Sequence, residues 1–140
     1  MAEEMRSPIE SGCPDAFQYM HPVMRKNFGQ WAYHEDPQPG VLLHVSNNGD
    51  KIWTVRAGTQ RILDLFTLRK LCDIGDKFGE GYIHFTIRSN IEYQVADEAK
   101  VEPLIKALTD AGFIVGGTRN SVAMLSHTQG WLHCDIPGTD

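Results

Sequence analysis

The chain has 140 residues, of which 41% are hydrophobic and 22% are charged, a composition typical of one soluble globular domain with one core. Its net charge of −5 argues against bulk attraction to nucleic acid or to an anionic membrane, so an anion site would need a local cluster of cations. The sequence shows no membrane-spanning apolar run, no signal-peptide core and no disulfide framework among its three cysteines, and it therefore predicts a cytoplasmic protein without membrane insertion.

Residues 1–40 are predicted to form an N-terminal arm with one short helix. Residues 1–14 are polar, and Asp15 is placed to cap a helix that continues to about Asn27. Pro22 lies inside that helix and predicts a kink or a restart there. Residues 36–40 read Asp-Pro-Gln-Pro-Gly, which indicates a turn or an extended linker.

A hairpin and a helix follow the arm. Residues 41–45 have strand composition, residues 47–50 (Asn-Asn-Gly-Asp) are a strong turn signal, and residues 51–58 form the next strand. Residues 61–78 then predict a helix. Its predicted inner face consists of Leu65, Leu68, Leu71, Cys72 and Phe78.

The central stretch, residues 81–95, alternates between apolar and polar side chains, which is typical of half-buried strands. It predicts strands over residues 82–88 and 91–96, joined by a tight turn at Ser89 and Asn90. The predicted inward residues of the first strand are Ile83, Phe85 and Ile87. The predicted outward residues are His84, Thr86 and Arg88.

A second helix is predicted from the spacing of Leu104, Ile105 and Leu108, with Pro103 in its first turn and Gly112 just past its end. Residues 113–115 then predict a last short strand. From residue 51 onward the order is β-α-β-β-α-β, so the sequence predicts an α+β protein with a ferredoxin-like fold, an N-terminal helical arm and one leading hairpin strand.

This topology leaves one face of the sheet without helices, because right-handed crossovers place both helices on the other face. We expect polar side chains on that open face, and the strands that carry Arg56 and Arg88 are predicted to be neighbours. Two converging guanidinium groups would bind a carboxylate or a small oxyanion. The alternative is the ordinary solvated face of a one-sided sheet. The residues predicted to face outward are Thr54, Arg56, His84, Thr86, Arg88, Glu92 and Gln94.

The C-terminal segment holds two further candidate regions. Residues 116–120 form a glycine-containing loop that could direct backbone N–H groups and Arg119 at an anion, although a plain connecting loop is the alternative. Residues 127–134 contain two histidines and one cysteine, but their spacing matches no standard zinc site, so no metal is expected there.

Four motifs together resemble the family of siroheme-dependent sulfite and nitrite reductases. The last motif favours the dissimilatory branch of the family, and the resemblance extends from about Gly12 to the end of the chain. The motifs are Thr54-Val-Arg56-Ala-Gly58, Phe85-Thr-Ile-Arg88-Ser-Asn-Ile-Glu92, Gly116-Gly-Thr118 and His127-Thr-Gln-Gly-Trp-Leu-His-Cys134.

The resemblance implies an oxidoreductase that reduces sulfite to sulfide by six electrons, or runs the reverse oxidation. It implies siroheme and a [4Fe–4S] cluster as cofactors, with the cluster cysteines outside this chain. His84 is a candidate proton donor. The residues that match cofactor-binding positions are Arg56, Arg88, Thr54, Thr86, Arg119 and His127.

The resemblance also implies an organisation and partners. Residues 41–117 correspond to a ferredoxin-like half-domain, and residues 118–140 to the start of a siroheme-binding domain, so we expect an N-terminal piece of a longer subunit that is inactive alone. The implied partners are the alpha subunit, in an α2β2 assembly, and a small sulfur-carrier protein. A different class of function remains open, namely a non-catalytic ferredoxin-like module that binds an anion or a partner subunit.

The N-terminal segment is unusually aromatic for a free arm. We expect its side chains to pack on the partner subunit, because aromatic residues and methionine are enriched at such interfaces. The alternative is that they complete the core of this chain. These residues are Phe17, Tyr19, Met20, Phe28, Trp31 and Tyr33.

Overall fold

The computed structural model describes residues 15–60 and 62–118. The predictions for residues 1–14 and for the tail after Thr118, including Arg119 and His127, lie outside the described residues. The α-helices are α1 (Pro22–Lys26), α2 (Leu65–Phe78) and α3 (Val101–Asp110). The strands are β1 (Trp31–Gln38), β2 (Val41–Ser46), β3 (Lys51–Gly58), β4 (Tyr82–Phe85) and β5 (Asn90–Val95).

The N-terminal segment is helical in two short pieces. The Asp15 carboxylate accepts a hydrogen bond from the Phe17 N–H and caps a 3₁₀ turn over Ala16–Tyr19. Helix α1 then begins at Pro22, whose fixed φ suits the first helical position, and the His21 ring caps it by accepting from the Val23 N–H. The predicted restart at Pro22 is confirmed.

Strand β1 was not predicted, and the interpretation of residues 36–38 as a turn or linker is wrong. The strand lies at the edge of a five-stranded antiparallel sheet in the order β1-β2-β3-β5-β4. An edge strand tolerates Pro37, because one of its sides needs no backbone donor. The turn is confined to Pro39 and Gly40, where Gly40 has a φ of +81°.

The sheet buries one face against α2 and α3, as the ferredoxin-like topology requires. At its centre Tyr93 is almost fully buried and donates a hydrogen bond to the carbonyl of Leu71 in α2. The predicted last strand is reduced to a single antiparallel bridge between Val115 and Ala57. The α+β, ferredoxin-like prediction is confirmed, together with the leading strand β2.

The inner face of α2 differs from the prediction. The helix begins at Leu65 after the Asp64 cap, and its buried residues are Leu71, Ile74 and Gly75. Leu65 and Cys72 are exposed, so the prediction that they face the core is wrong. Both lie about 100–120° around the helix from Leu71, outside the stripe that faces the sheet.

The hairpin between β4 and β5 turns earlier than predicted. Strand β4 ends at Phe85, and the turn occupies residues 86–89, with Ser89 in the left-handed region at a φ of +59°. The Thr86 N–H donates to the carbonyl of Asn90 and closes this turn. Ile87, predicted to be inward, is fully exposed, and Arg88 lies in the turn rather than in a strand. Among the described residues, no helix is long and apolar enough to cross a membrane.

Candidate anion-binding face

Strand register places the predicted polar side chains on the sheet face opposite α2 and α3. Arg56 of β3 lies directly across from Glu92 of β5, and His84 of β4 lies across from Glu92 on the other side. Thr54 pairs with Gln94 one step along the same face. We call these five residues the open-face cluster. Its members come from three neighbouring strands, as period-2 alternation predicts.

The predicted convergence of Arg56 with Arg88 needs correction in its topology. Strand β5 lies between β3 and β4, so the strands of the two arginines are not neighbours. Arg88 is exposed in the 86–89 turn, and the Thr86 hydroxyl accepts a hydrogen bond from the Asn90 N–H in that same turn. The side chain that meets Arg56 across the β3–β5 register is Glu92.

Glu92 is the centre of the cluster. It is 5% exposed, and its two carboxylate oxygens have different partners. Arg56 donates to Oε1 through Nε, and His84 Nε2 lies 2.8 Å from Oε2. Arg56 also donates through Nη1 to the carbonyl of Gly117, at 3.2 Å. Gln94 Nε2 lies 3.4 Å from His84 Nδ1, so both nitrogens of the His84 ring have neighbours on the sheet.

The pKa of Glu92 follows from this arrangement. Burial opposes ionisation and raises the pKa, but the hydrogen bond and charge of His84, followed by the charge and hydrogen bond of Arg56, outweigh it. The net pKa lies below the ordinary glutamate value. Glu92 is therefore a buried carboxylate that stays ionised because two basic side chains hold it.

A second polar group continues the face toward β1. His34 and His44 lie opposite each other, with their Nδ1 atoms 2.6 Å apart, and His44 Nε2 lies 3.3 Å from the Thr54 hydroxyl. Burial, then the neighbouring His34, lowers the pKa of His44. Alternation in the predicted strand 41–45 would have placed His44 on this face. His34 could not be found in that way, because β1 itself was not predicted.

The N-terminal segment covers the other end of the face. The His21 ring packs edge-on against Tyr82, with ring centroids 4.8 Å apart, and His21 Nε2 lies 2.7 Å from Glu80. Ile52, which has the outward parity of Thr54, is fully buried. The exposed part of the face is therefore the end that carries Arg56 and His84.

The described chain returns to this end of the face at residues 116–118. The Gly40 N–H donates to the Thr118 hydroxyl at 3.1 Å, and the Gly116 N–H donates to the carbonyl of Arg56. Gly116, Gly117 and Thr118 are buried. Among the described residues, no group of three or more histidine, cysteine, aspartate or glutamate side chains is placed to hold a metal ion.

The fold is ferredoxin-like, with one face of its sheet free of helices. Residues 44–111 match the family described as the nitrite/sulfite reductase ferredoxin-like half domain, which confirms the resemblance to the sulfite and nitrite reductase family predicted from the sequence.

Three curated relatives are each named sulfite reductase, dissimilatory-type subunit beta. The chain is 46% identical to the protein of Nitratidesulfovibrio vulgaris over 88% of this chain and 34% of the relative. It is 45% identical to that of Archaeoglobus fulgidus over 86% of this chain and 35% of the relative. It is 40% identical to that of Megalodesulfovibrio gigas over 99% of this chain and 56% of the relative. The chain thus spans between a third and just over half of the length of these relatives.

Proposed function

We propose that the chain is the N-terminal part of a dissimilatory-type sulfite reductase beta subunit. The observation that carries this proposal is 40–46% identity to three such subunits over 86–99% of the chain. The substrate would be sulfite, reduced by six electrons to sulfide or formed by the reverse oxidation. We place the protein in the cytoplasm and expect the chain to be inactive alone.

The open-face cluster would contribute to the siroheme and sulfite pocket. Siroheme carboxylates and sulfite oxygens accept hydrogen bonds, and the guanidinium of Arg56 is a planar donor suited to both. Its five N–H groups exceed those used by Glu92 and Gly117, so donors remain for a ligand. The polar side chains of His84 and Gln94 on the same face fit such a ligand as well, whereas Thr54 is 3% exposed and remains a proposed ligand-binding residue only on the basis of the resemblance.

The chemistry belongs to the cofactors, since siroheme and a [4Fe–4S] cluster supply the electrons when bound. The residues of this chain would bind and orient anionic groups and exclude water. Arg88, Thr86, Arg119 and His127 remain proposed ligand-binding residues on the basis of the resemblance. His84 remains the proposed proton donor, and in its neutral form the N–H of Nε2 points to Glu92, so the Glu92 contact would have to change for it to donate to a ligand.

The proposed partners are the alpha subunit, in an α2β2 assembly, and a small sulfur-carrier protein. Exposed aromatic side chains in the N-terminal segment support a subunit interface there. They are Phe17, Tyr19, Phe28 and Tyr33, which are 38–68% exposed.

The test is the absorption spectrum of the complete subunit, co-expressed with its alpha partner in cells that make siroheme. We expect the bands of an isobacteriochlorin in the purified complex. A complex that assembles without those bands under cofactor-replete expression would contradict the proposal. It would favour the rival function, a non-catalytic module that uses the Arg56 face to bind an anion or a partner.

A further inference from the structure

Glu92 occupies a position that the pocket proposed above does not explain. A carboxylate repels the anions that such a face would bind, yet this one is 5% exposed at the centre of the cluster. Packing of the core does not explain this burial, because Glu92 faces away from α2 and α3. Burying a charge is costly unless the charge is paired, so the fold must gain from its two partners.

The two contacts of Glu92 fix two different properties. The bond from Arg56 Nε anchors the inner edge of the guanidinium, while Nη1 is held by the Gly117 carbonyl. The remaining Nη2 donors are thereby oriented without the entropy cost that a free arginine pays on binding. The contact from His84 Nε2 selects the tautomer with hydrogen on Nε2, because a carboxylate only accepts.

Gln94 completes the second arrangement. With hydrogen on Nε2, the Nδ1 atom of His84 is an acceptor, and the Gln94 amide lies 3.4 Å away to donate to it. Glu92 and Gln94 are alternate residues of β5 and share its outward face. Strand β5 thus contacts both nitrogens of the His84 ring, which belongs to β4.

We infer that Glu92 is a positioning residue, which orients the Arg56 guanidinium and sets the His84 tautomer for anion binding at the open face. The inference rests on the proposed function for its ligand, but its geometry does not. Glu92 would act through Arg56 and His84 and would not touch the ligand itself. The ligand class is a small oxyanion or a carboxylate, with sulfite as the probe.

The first experiment reads the tautomer directly. In Glu92→Gln the amide oxygen can still accept from Arg56, but the amide nitrogen must donate to His84 Nε2, which moves the ring hydrogen to Nδ1. We expect ¹⁵N NMR of histidine-labelled chain to show hydrogen on Nε2 of His84 in the parent and on Nδ1 in Glu92→Gln at alkaline pH. Assignment uses the loss of one signal pair in His84→Gln.

The control is Glu35→Gln, an exposed glutamate on the edge strand β1. It should leave the tautomer unchanged. Circular dichroism should show that Glu92→Gln and Glu35→Gln are folded. Glu92→Asp, whose side chain is shorter by one methylene group, provides a second test of the His84 tautomer. An unchanged His84 tautomer in a folded Glu92→Gln chain would overturn the inference.

The second experiment uses the assembled enzyme with sulfite as substrate. We expect Glu92→Gln to raise KM for sulfite about tenfold with a smaller effect on kcat, because orientation of the binding groups is lost. Glu35→Gln should leave both constants unchanged. A tautomer switch without any change in KM would also overturn the inference. Failure of the proposed function would be distinguishable, because the unsubstituted complex would then lack the siroheme bands.

Discussion

At the scale of single residues, Glu92 gives the open face its order. A buried carboxylate between a guanidinium and an imidazole can hold both in one geometry, whereas exposed ion pairs contribute little. Removal of either basic partner leaves a buried charge with weaker compensation. The cluster should therefore be sensitive to pH through Glu92.

The lowered pKa of Glu92 predicts a specific acid dependence of stability. A carboxyl group whose folded pKa lies below its ordinary value of 4.5 stabilises the fold above that value and loses this contribution as the pH falls through the folded pKa. The free energy of unfolding of the parent should exceed that of Glu92→Gln at about pH 6, and the gap should narrow toward about pH 3. Urea unfolding at several pH values measures it.

Glu35→Gln is the matched control, since Glu35 is exposed on β1. Its free energy of unfolding should differ little from that of the parent at every pH. A parent-to-Glu92→Gln gap that stays constant across the acid range would show that Glu92 is not held ionised by its partners.

At the scale of elements, the β1–β2 turn supports the end of the face that carries Arg56. Gly40 has a φ of +81°, and a Cβ there would lie 2.6 Å from the Gly116 nitrogen and 2.6 Å from Val115 Cγ1. The backbone of residues 115–116 approaches so closely because it bridges to β3. A side chain at Gly40 would push that segment away from Arg56.

Gly49 in the β2–β3 turn provides a natural comparison. Its φ of +89° is equally unfavourable for a side chain, but a Cβ there would have nothing within 4 Å. We expect Gly49→Ala to lower the free energy of unfolding by about 1 kcal/mol and Gly40→Ala to lower it by about 2–4 kcal/mol, because only the Gly40 substitution adds a steric clash to the backbone strain. Chemical denaturation compares them. Equal losses of stability in the two variants would show that the close approach at Gly40 does not contribute to the cost of the substitution.

The elements that the sequence predicted well are those in which side-chain periodicity and burial agree. Strand β3 was predicted with its observed bounds, and the outward parity of Thr54, Arg56 and Glu92 was correct. Alternation failed after Phe85, because it cannot show where a strand stops pairing. Ile87 and Arg88 therefore moved into the turn.

Two other parts were beyond local pattern. Strand β1 has no buried residue and contains Pro37, so its strand character depends on pairing with β2, which only the tertiary structure supplies. The Glu92 contacts with Arg56 and His84 could have been predicted from parity and strand order together, but the sequence interpretation placed the two arginines on adjacent strands. The intervening β5 is the reason that interpretation was wrong.

At the scale of the whole molecule, the N-terminal segment presents exposed aromatic rings that the fold leaves uncovered. Tyr19 and Phe28 are 68% and 57% exposed. If they contact the alpha subunit, the double substitution Tyr19→Ser, Phe28→Ser should weaken assembly at least tenfold, because aromatic anchors dominate such interfaces. Sedimentation of the co-expressed subunits measures it.

Phe66→Ser is the control for that prediction. Phe66 is 79% exposed, but it lies on α2, on the helix-covered side of the sheet. It should leave assembly unchanged. Weakening by Phe66→Ser alone would move the proposed interface from the N-terminal segment to α2.

If the open face helps to hold siroheme, as we propose, two matched arginine variants should differ in their siroheme occupancy. Arg56→Ala removes an open-face donor, whereas Arg69→Ala removes an exposed arginine of α2 on the other side of the sheet. Loss of a partly buried contact between an arginine and a siroheme carboxylate costs on the order of 2–5 kcal/mol of binding free energy. We expect siroheme per assembled complex, measured by extraction and absorbance, to fall severalfold in Arg56→Ala and to stay at the parent level in Arg69→Ala. Equal siroheme content in the two folded, assembled variants would contradict the proposal.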